Sequence, residues 1–134
     1  MTPNGYVVVY NDKGQIVWEL SIVPEGSRAK SDIYGGGLAI NKDKLAVTSS
    51  FGELLLISIS KRRVDWRYDF KRPFRSAPIF HKGFIFGVTG DDIAVSFDVK
   101  GKLRWTKKGP QKKTKFSATV SPAALGNKVL FPFS

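Results

Sequence analysis

The chain of 134 residues has no cysteine and only one histidine and one methionine. Without cysteine, this segment cannot form a disulfide, a thiolate metal site, a thiol nucleophile or a lipid-modified cysteine. Its apolar runs fall well short of the roughly 18 residues that a membrane-spanning helix requires. Residues 1–5 lack the basic and apolar regions of a signal peptide. We therefore expect no direct membrane insertion, and cysteine usage leaves the redox compartment open.

The chain does contain an internal repeat, which is marked by tryptophan. Trp18, Trp66 and Trp105 each follow an apolar strand and a polar turn, at spacings of 48 and 39 residues (66 − 18 and 105 − 66). These spacings are near the period of a four-stranded propeller blade. A binding site needs asymmetry, whereas packing between blades recurs in every blade. The identical placement therefore favours a structural, blade-docking role for all three tryptophans.

Aligning the repeats gives four strand types, A to D, separated by short polar turns. Strand A is predicted at residues 36–40, 76–80 and 120–124, strand B at 44–49, 84–89 and 128–133, strand C at 6–10, 53–59 and 92–97, and strand D at 15–20, 63–69 and 102–107. No segment shows a helical period. The pattern predicts an all-β fold, an incomplete β-propeller in one segment over residues 1–134. Two full four-stranded antiparallel blades (36–69 and 76–107) are flanked by two half blades (6–20 and 120–134).

The first predicted strand of this array is of type C and the last is of type B, so the array begins and ends within a blade. Two blades and two half blades cannot close a propeller ring alone. We therefore expect a portion of a longer propeller. The alternative is self-association through the half blades, which would give a six-bladed ring from two copies.

Charge is unevenly placed along the chain, which has 22 basic and 11 acidic residues and a net charge of +11. The three connections from strand D to strand A, at about residues 22–33, 70–75 and 107–115, hold ten of the basic residues against two acids. In an up-and-down array these connections emerge at one face together with the B to C turns. The pattern predicts a basic rim there, with Phe74 and Phe116 beside it, and solvated loops stay open as an equal alternative.

Five segments of the repeat resemble a known family in the same order: 35–40, 49–54, 75–78, 98–105 and 121–123. They resemble the quinoprotein-like (PQQ-repeat) β-propeller. Within it they are most similar to the propeller lipoprotein family of the outer-membrane β-barrel assembly machinery (the BamB family, alphaproteobacterial type). The resemblance implies a non-enzymatic scaffold at the periplasmic face of the outer membrane, whose partner is the barrel-inserting subunit. A full member has about eight blades after a signal peptide and a lipidated cysteine, so an interior fragment is expected.

In that family, loops that precede strand A contact the partner through an apolar–Arg pair and through an acidic pair in the next loop. Phe74 and Arg75 match the first pair, whereas residues 117–119 contain no acid where the second would fall. The predicted partner-binding set is Arg72, Phe74, Arg75, Lys112, Lys113 and Lys115. Arginine suits this role because its planar guanidinium can pair with a carboxylate through two hydrogen bonds.

Two other classes remain open as alternatives. A PQQ-dependent dehydrogenase propeller would need Ca²⁺ held by six to eight converging oxygens, but the acids here are scattered over turns and tryptophan-bearing strands. A basic nucleic-acid-binding module would use stacking aromatics interleaved with the charges, a pattern the loops lack. His81 is interpreted as a solvated turn residue, and residues 35–37 as entry to a crowded inner strand rather than a phosphate loop. We expect no catalytic residue, cofactor, metal or small-molecule substrate.

Overall fold

The computed structural model describes residues 1–26, 35–110 and 120–133. Its described residues form twelve strands: β1 (Tyr6–Tyr10), β2 (Ile16–Ser21), β3 (Gly36–Asn41), β4 (Lys44–Ser49), β5 (Glu53–Ser58), β6 (Arg63–Asp69), β7 (Ile79–His81), β8 (Phe84–Val88), β9 (Ile93–Asp98), β10 (Leu103–Lys108), β11 (Ala123–Leu125) and β12 (Lys128–Leu130). Within these ranges, no helix has the length and hydropathy to cross a membrane.

The strands form two four-stranded sheets, β3-β4-β5-β6 and β7-β8-β9-β10, and two hairpins, β1-β2 and β11-β12. All neighbouring strands are antiparallel. The prediction of an all-β, incomplete propeller with two full blades and two half blades is confirmed.

Two inner strands are shorter than predicted. The strand expected at 76–80 begins only at Ile79, and the one expected at 120–124 begins at Ala123. In both cases a proline, Pro78 or Pro122, directly precedes the first paired residue, and proline has no N–H to donate to a ladder. The strand expected at 128–133 ends at Leu130, two residues before Pro132.

Each four-stranded sheet presents apolar side chains on both faces. In β5 every residue is buried: Leu54 and Leu56 pack towards the next sheet, whereas Leu55 and Ile57 pack towards the β1-β2 hairpin. This alternation produces two separate cores. The first contains Ala46, Leu54, Leu56, Phe74, Ile85, Val95 and Phe97, and the second contains Val7, Ile22, Leu45, Val47, Leu55 and Ile57. Each of these two cores therefore lies between neighbouring sheets of the described part of the chain.

A β-bulge precedes each tryptophan at the same place in the repeat. Trp66 pairs with Leu56 while Val64 pairs with the adjacent Ile57, so one extra residue, Asp65, stands between them. The same register shift precedes the other two tryptophans. Because an extra residue reverses the alternation of a strand, Val64 packs on one core and Trp66 on the other. The bulge thus turns each tryptophan towards the following sheet.

The glycines at the start of β3 stand where the inner strands crowd together. A Cβ placed on Gly36, whose φ is +80°, would lie 2.1 Å from the carbonyl oxygen of Thr48. A Cβ on Gly37 would lie 2.6 Å from the Cβ of Ala77, two residues before β7. Neither position leaves room for a side chain, which supports their interpretation as entry to a crowded inner strand.

Phe74 lies in the connection between the two sheets and is fully buried. Its N–H donates to the carbonyl oxygen of Ser49 in one sheet at 3.1 Å, and its backbone forms a β-bridge with Thr89 at the end of the other. Its ring packs edge-on against Phe70 with centroids 5.6 Å apart. The expectation that Phe74 is an exposed partner contact is wrong, since the apolar ring gains more from the core between the blades than it would from the surface.

We expect Phe74→Ala to lower the free energy of unfolding by about 3–5 kcal/mol, because the substitution leaves a cavity between two sheets. Urea denaturation followed by tryptophan fluorescence measures this change. Tyr10→Ala, at a residue that is 57% exposed, is the control and should cost less than about 1 kcal/mol. Equal losses in the two variants would contradict the placement of Phe74.

Candidate partner-binding face

One end of the two sheets collects the D to A connection at residues 70–75, the B to C turns at 50–52 and 90–92, and the last residues of β6 and β10; we call this end the loop face. The connection is hydrogen-bonded to both turns. The N–H of Phe70 donates to the carbonyl of Gly52 at 2.8 Å, and the N–H of Gly90 donates to the carbonyl of Pro73 at 2.7 Å. The connection is therefore fixed to both blades.

Arg72 projects from this connection and forms an ion pair with Asp91 in the turn of the next blade. The hydroxyl of Thr89 donates to the other oxygen of the same carboxylate at 2.6 Å. Burial raises the pKa of Asp91, but the hydrogen bonds from Thr89 and Arg72 and the charge of Arg72 outweigh it, so the pKa lies below its ordinary value. The side chain of Arg72 is still 52% exposed, which leaves part of the guanidinium accessible to a partner.

Arg75 is exposed at the end of the same connection and lies over the turn of the next blade. A Cβ placed on Gly90 would fall 2.8 Å from its Nε and 3.2 Å from its Cδ. A side chain at position 90 would therefore displace Arg75. The backbone of Gly90 serves as the surface along which this arginine extends.

An ion pair between a buried acid and an exposed arginine lies close to the loop face, and the sequence interpretation missed it. Arg67 Nη1 donates to both carboxylate oxygens of Glu53, at 3.2 and 3.3 Å, and Glu53 is only 4% exposed. Burial raises the pKa of Glu53 and the nearby charge of Asp69 adds to this, while Arg67 lowers it; the net direction is upward. In the repeat, Glu53 occupies the position that Ile93 has in the next blade. An acid at a position that is apolar in the next blade is therefore the sequence signal that could have indicated this ion pair.

The charge of the loop face is mixed. Its described cations are Lys71, Arg72, Arg75, Lys107 and Lys108, and the turns and strand ends add the acids Asp69, Asp91 and Asp92. The sequence interpretation counted only the connections and so overlooked acids contributed by the B to C turns. Three members of the predicted partner-binding set, Lys112, Lys113 and Lys115, lie outside the described residues, as do Arg28, Lys30 and Phe116.

The tryptophans all contact the sheet that follows their own. Trp66 stacks on Phe97 with centroids 5.6 Å apart, and its Nε1–H donates to the carbonyl of Val99 at 3.1 Å. Trp105 packs against Phe131 at 5.8 Å, and Trp18 packs against the core between the first hairpin and β4-β5. This geometry is what blade docking requires, and the energetic role of the tryptophans remains a prediction.

Among residues 1–26, 35–110 and 120–133, no group of three or more His, Cys, Asp or Glu side chains is placed to hold a metal ion. The single histidine, His81, is the last residue of β7 and is half-buried, rather than a solvated turn residue, with Nε2 2.7 Å from the carbonyl oxygen of Gly126.

The sequence model of the family described as "Outer membrane protein assembly factor BamB" matches residues 3–134. The chain belongs to the BamB family. A comparison with curated proteins finds no match. Among solved structures, BamB from Moraxella catarrhalis superposes with a TM-score of 0.78 at 16% identity, over 96% of this chain and 38% of that one.

Other propellers share the architecture. Sqt1 from Saccharomyces cerevisiae gives a TM-score of 0.66 at 19% identity, over 80% of this chain and 30% of that one. The quinohemoprotein alcohol dehydrogenase from Comamonas testosteroni gives 0.62 at 18% identity, over 78% and 18%. At these identities the likeness shows the fold alone. The chain also spans well under half the length of these structures, so the activities and partners of whole proteins are matters for proposal.

We expect the ion pair of Asp91 to make stability depend on acid pH. Its pKa is lowered in the folded state, so the stability it contributes is fully present above the unfolded value of about 3.9. That stability is lost as the pH falls through the folded value. Urea unfolding at pH 5.5 and pH 3 should show a smaller acid loss in Asp91→Asn than in the parent. An identical loss in both proteins would contradict the pairing.

Proposed function

We propose that this chain is a non-enzymatic protein–protein interaction scaffold, a portion of an outer-membrane protein assembly factor that acts at the periplasmic face of the outer membrane. Membership of the BamB family supports this proposal. The observation that carries it is the connection at residues 70–75, which is fixed to both blades while presenting exposed arginines. The proposed partner is the barrel-inserting subunit of the assembly machinery, as the resemblance implies.

The geometry of Arg72 and Arg75 suits a rigid contact with an acidic protein surface. Both arginines leave a backbone segment held by the buried ring of Phe74. Holding the segment in place lowers the conformational entropy that binding would otherwise cost. Arg72 already forms an ion pair with Asp91, so a partner carboxylate would share or replace that pairing. Lys112, Lys113 and Lys115 stay in the proposed set on the sequence alone.

The rival enzymatic function would be that of a PQQ-dependent dehydrogenase. Dehydrogenase propellers are among the similar structures, and they include a europium-containing methanol dehydrogenase with a TM-score of 0.54. Against an enzymatic role stand the family match and the scattered positions of the acids in the described ranges. A change in the quinone absorbance on mixing the chain with quinone and Ca²⁺ would favour the enzyme.

Self-association through the half blades also stays a prediction. Both hairpins carry exposed apolar side chains, with Tyr10 57% and Leu125 75% exposed, and Trp105 in β10, which packs against Phe131, is 36% exposed. Further blades of a longer chain, or a second copy, would cover these faces. The molar mass from light scattering distinguishes a pair of copies from a single chain.

We expect the double charge reversal Arg72→Glu and Arg75→Glu to weaken binding to the periplasmic part of the barrel-inserting subunit by about tenfold or more, because two cations aimed at an acidic surface become repulsive. Surface plasmon resonance measures the affinity. The matched control is Lys42→Glu with Lys82→Glu, which changes the net charge equally at the opposite end of the sheets and should alter binding less than about threefold. Equal affinity in the parent and the Arg72/Arg75 variant would contradict the proposal.

A further inference from the structure

The opposite end of the two sheets carries a second basic surface, which the loop-face proposal does not use. It is formed by the A to B turns at residues 41–43 and 81–83 and the C to D turns at 59–62 and 98–102; we call it the turn face. These four turns hold six cations and two acids: Lys42, Lys61, Arg62, Lys82, Lys100 and Lys102 against Asp43 and Asp98. The surplus of four positive charges lies on one side of the molecule.

The turns of the first blade are joined through Asp43. Its carboxylate accepts hydrogen bonds from the hydroxyls of Ser58 and Ser60, at 2.9 and 2.8 Å, and from the N–H of Ser60 at 2.7 Å. Its backbone carbonyl accepts the N–H of Ile59 at 2.9 Å. The A to B and C to D turns therefore form one unit. Lys42 directly precedes Asp43 in this unit, and Lys61 directly follows Ser60.

The second blade is attached to this unit, and its acid is also engaged. Trp66 of the first blade donates to the carbonyl of Val99 in the second blade's C to D turn. Within that turn, Asp98 Oδ1 accepts the backbone N–H groups of Lys100 and Lys102 at 2.9 and 3.0 Å. Both acids of the turn face thus bind backbone or hydroxyl groups. No salt bridge joins any of the six cations to another described residue, although the charge of Lys102 acts on Asp98 in its own turn.

Three of the cations occupy backbone positions that disfavour them. Lys42 and Arg62 have φ of 53° and Lys82 has φ of 47°, in the left-handed region that glycine and asparagine prefer. The equivalent position in the third A to B turn is Gly126, with φ of 60°. The turn itself therefore needs no cation there. Lys71 on the loop face has the same φ of 53°, so it is the clustering of the cations, and not their backbone conformation, that distinguishes the turn face.

We propose that the turn face binds the anionic headgroup surface of a lipid bilayer. Clustered lysines and arginines outside the hydrophobic region are attracted to such a surface by its negative potential. The four turns contain no phenylalanine, tyrosine or tryptophan, and single-strand nucleic-acid binders depend on stacked aromatics. Five of the six cations are lysines, whose flexible side chains each carry a compact charge. Because these lysines lie in turns, they suit a flat and fluid array of phosphates. The loop face at the other end would then be directed away from the bilayer.

The test is co-sedimentation of the 134-residue chain with vesicles at about 0.1 M salt. One set of vesicles is pure phosphatidylcholine and the other contains about 30% phosphatidylglycerol. The chain should bind the anionic vesicles and not the zwitterionic ones, because attraction by the surface potential is worth about a fivefold change in affinity per cation. Failure to bind anionic vesicles, or equal binding to both kinds, would overturn the proposal.

A pair of matched triple variants locates the surface. Lys42→Asn, Arg62→Asn and Lys82→Asn remove three charges from the turn face at positions where asparagine fits the backbone. Lys71→Asn, Lys107→Gln and Lys108→Gln remove three from the loop face, again with one asparagine at a left-handed position, since Lys71 has φ of 53°. The first variant should lose about a hundredfold in vesicle affinity and the second less than about threefold. Equal losses would show that net charge alone drives binding, which contradicts the proposal.

Two further readouts complete the experiment. Thermal unfolding should show that the turn-face variant is at least as stable as the parent, so its loss of binding cannot come from unfolding. A single-stranded RNA should not compete for the chain at physiological salt. Tighter binding of the RNA than of the vesicles, lost in the turn-face variant, would identify a nucleic-acid surface and overturn the lipid proposal. The outcome is independent of the protein partner at the loop face.

Discussion

The packing of one sheet on the next is the constraint on which the rest of this structure depends. Each four-stranded sheet has apolar side chains on both faces, so it must be covered on both sides to remain folded. The core between the full blades joins Leu54 and Leu56 of one sheet to Ile85, Val95 and Phe97 of the other. The ring of Phe74 fills the same core from the connection between them. The contacts between neighbouring sheets therefore contribute much of the stability of the array, as in other repeat proteins.

This packing also positions both candidate surfaces. The buried ring of Phe74 holds the connection that presents Arg72 and Arg75 at the loop face. The indole of Trp66 docks under the C to D turn of the next blade, and so fixes part of the turn face. A scaffold that holds a protein at one end and a lipid surface at the other needs a fixed distance and orientation between these two ends. The sheets between them supply it.

Sequence reasoning predicted the strands well because alternation, turn residues and the repeat all pointed to the same assignment. Strands β1, β4 and β6 lie where they were predicted, and the inner strands were overextended only across prolines. The bulge before each tryptophan was not predicted, because one extra residue cannot be recognised from the alternation of apolar and polar residues in a single strand. It is visible only when the partner strand is paired against it.

The candidate site was harder to predict than the fold. Phe74 was assigned to the partner-binding set because Phe74 and Arg75 match the apolar–Arg pair of the resembled family, yet its ring is buried in the core between the two sheets. The ion pairs of Arg72 with Asp91 and of Arg67 with Glu53 join residues 19 and 14 positions apart. Such pairings depend on how two turns or two strands meet in space. The composition gives the number of these charges, but it does not indicate which cation pairs with which acid.

The measurement that tests the central claim most directly is a double-mutant cycle between Trp66 and Phe97, whose stacked rings belong to different blades. Trp66→Leu, Phe97→Leu and the double variant would be compared with the parent by urea unfolding. Docking of one blade on the next predicts a coupling energy of about 0.5–1.5 kcal/mol. Strict additivity of the two single losses would contradict the claim that the blades are held together through this contact.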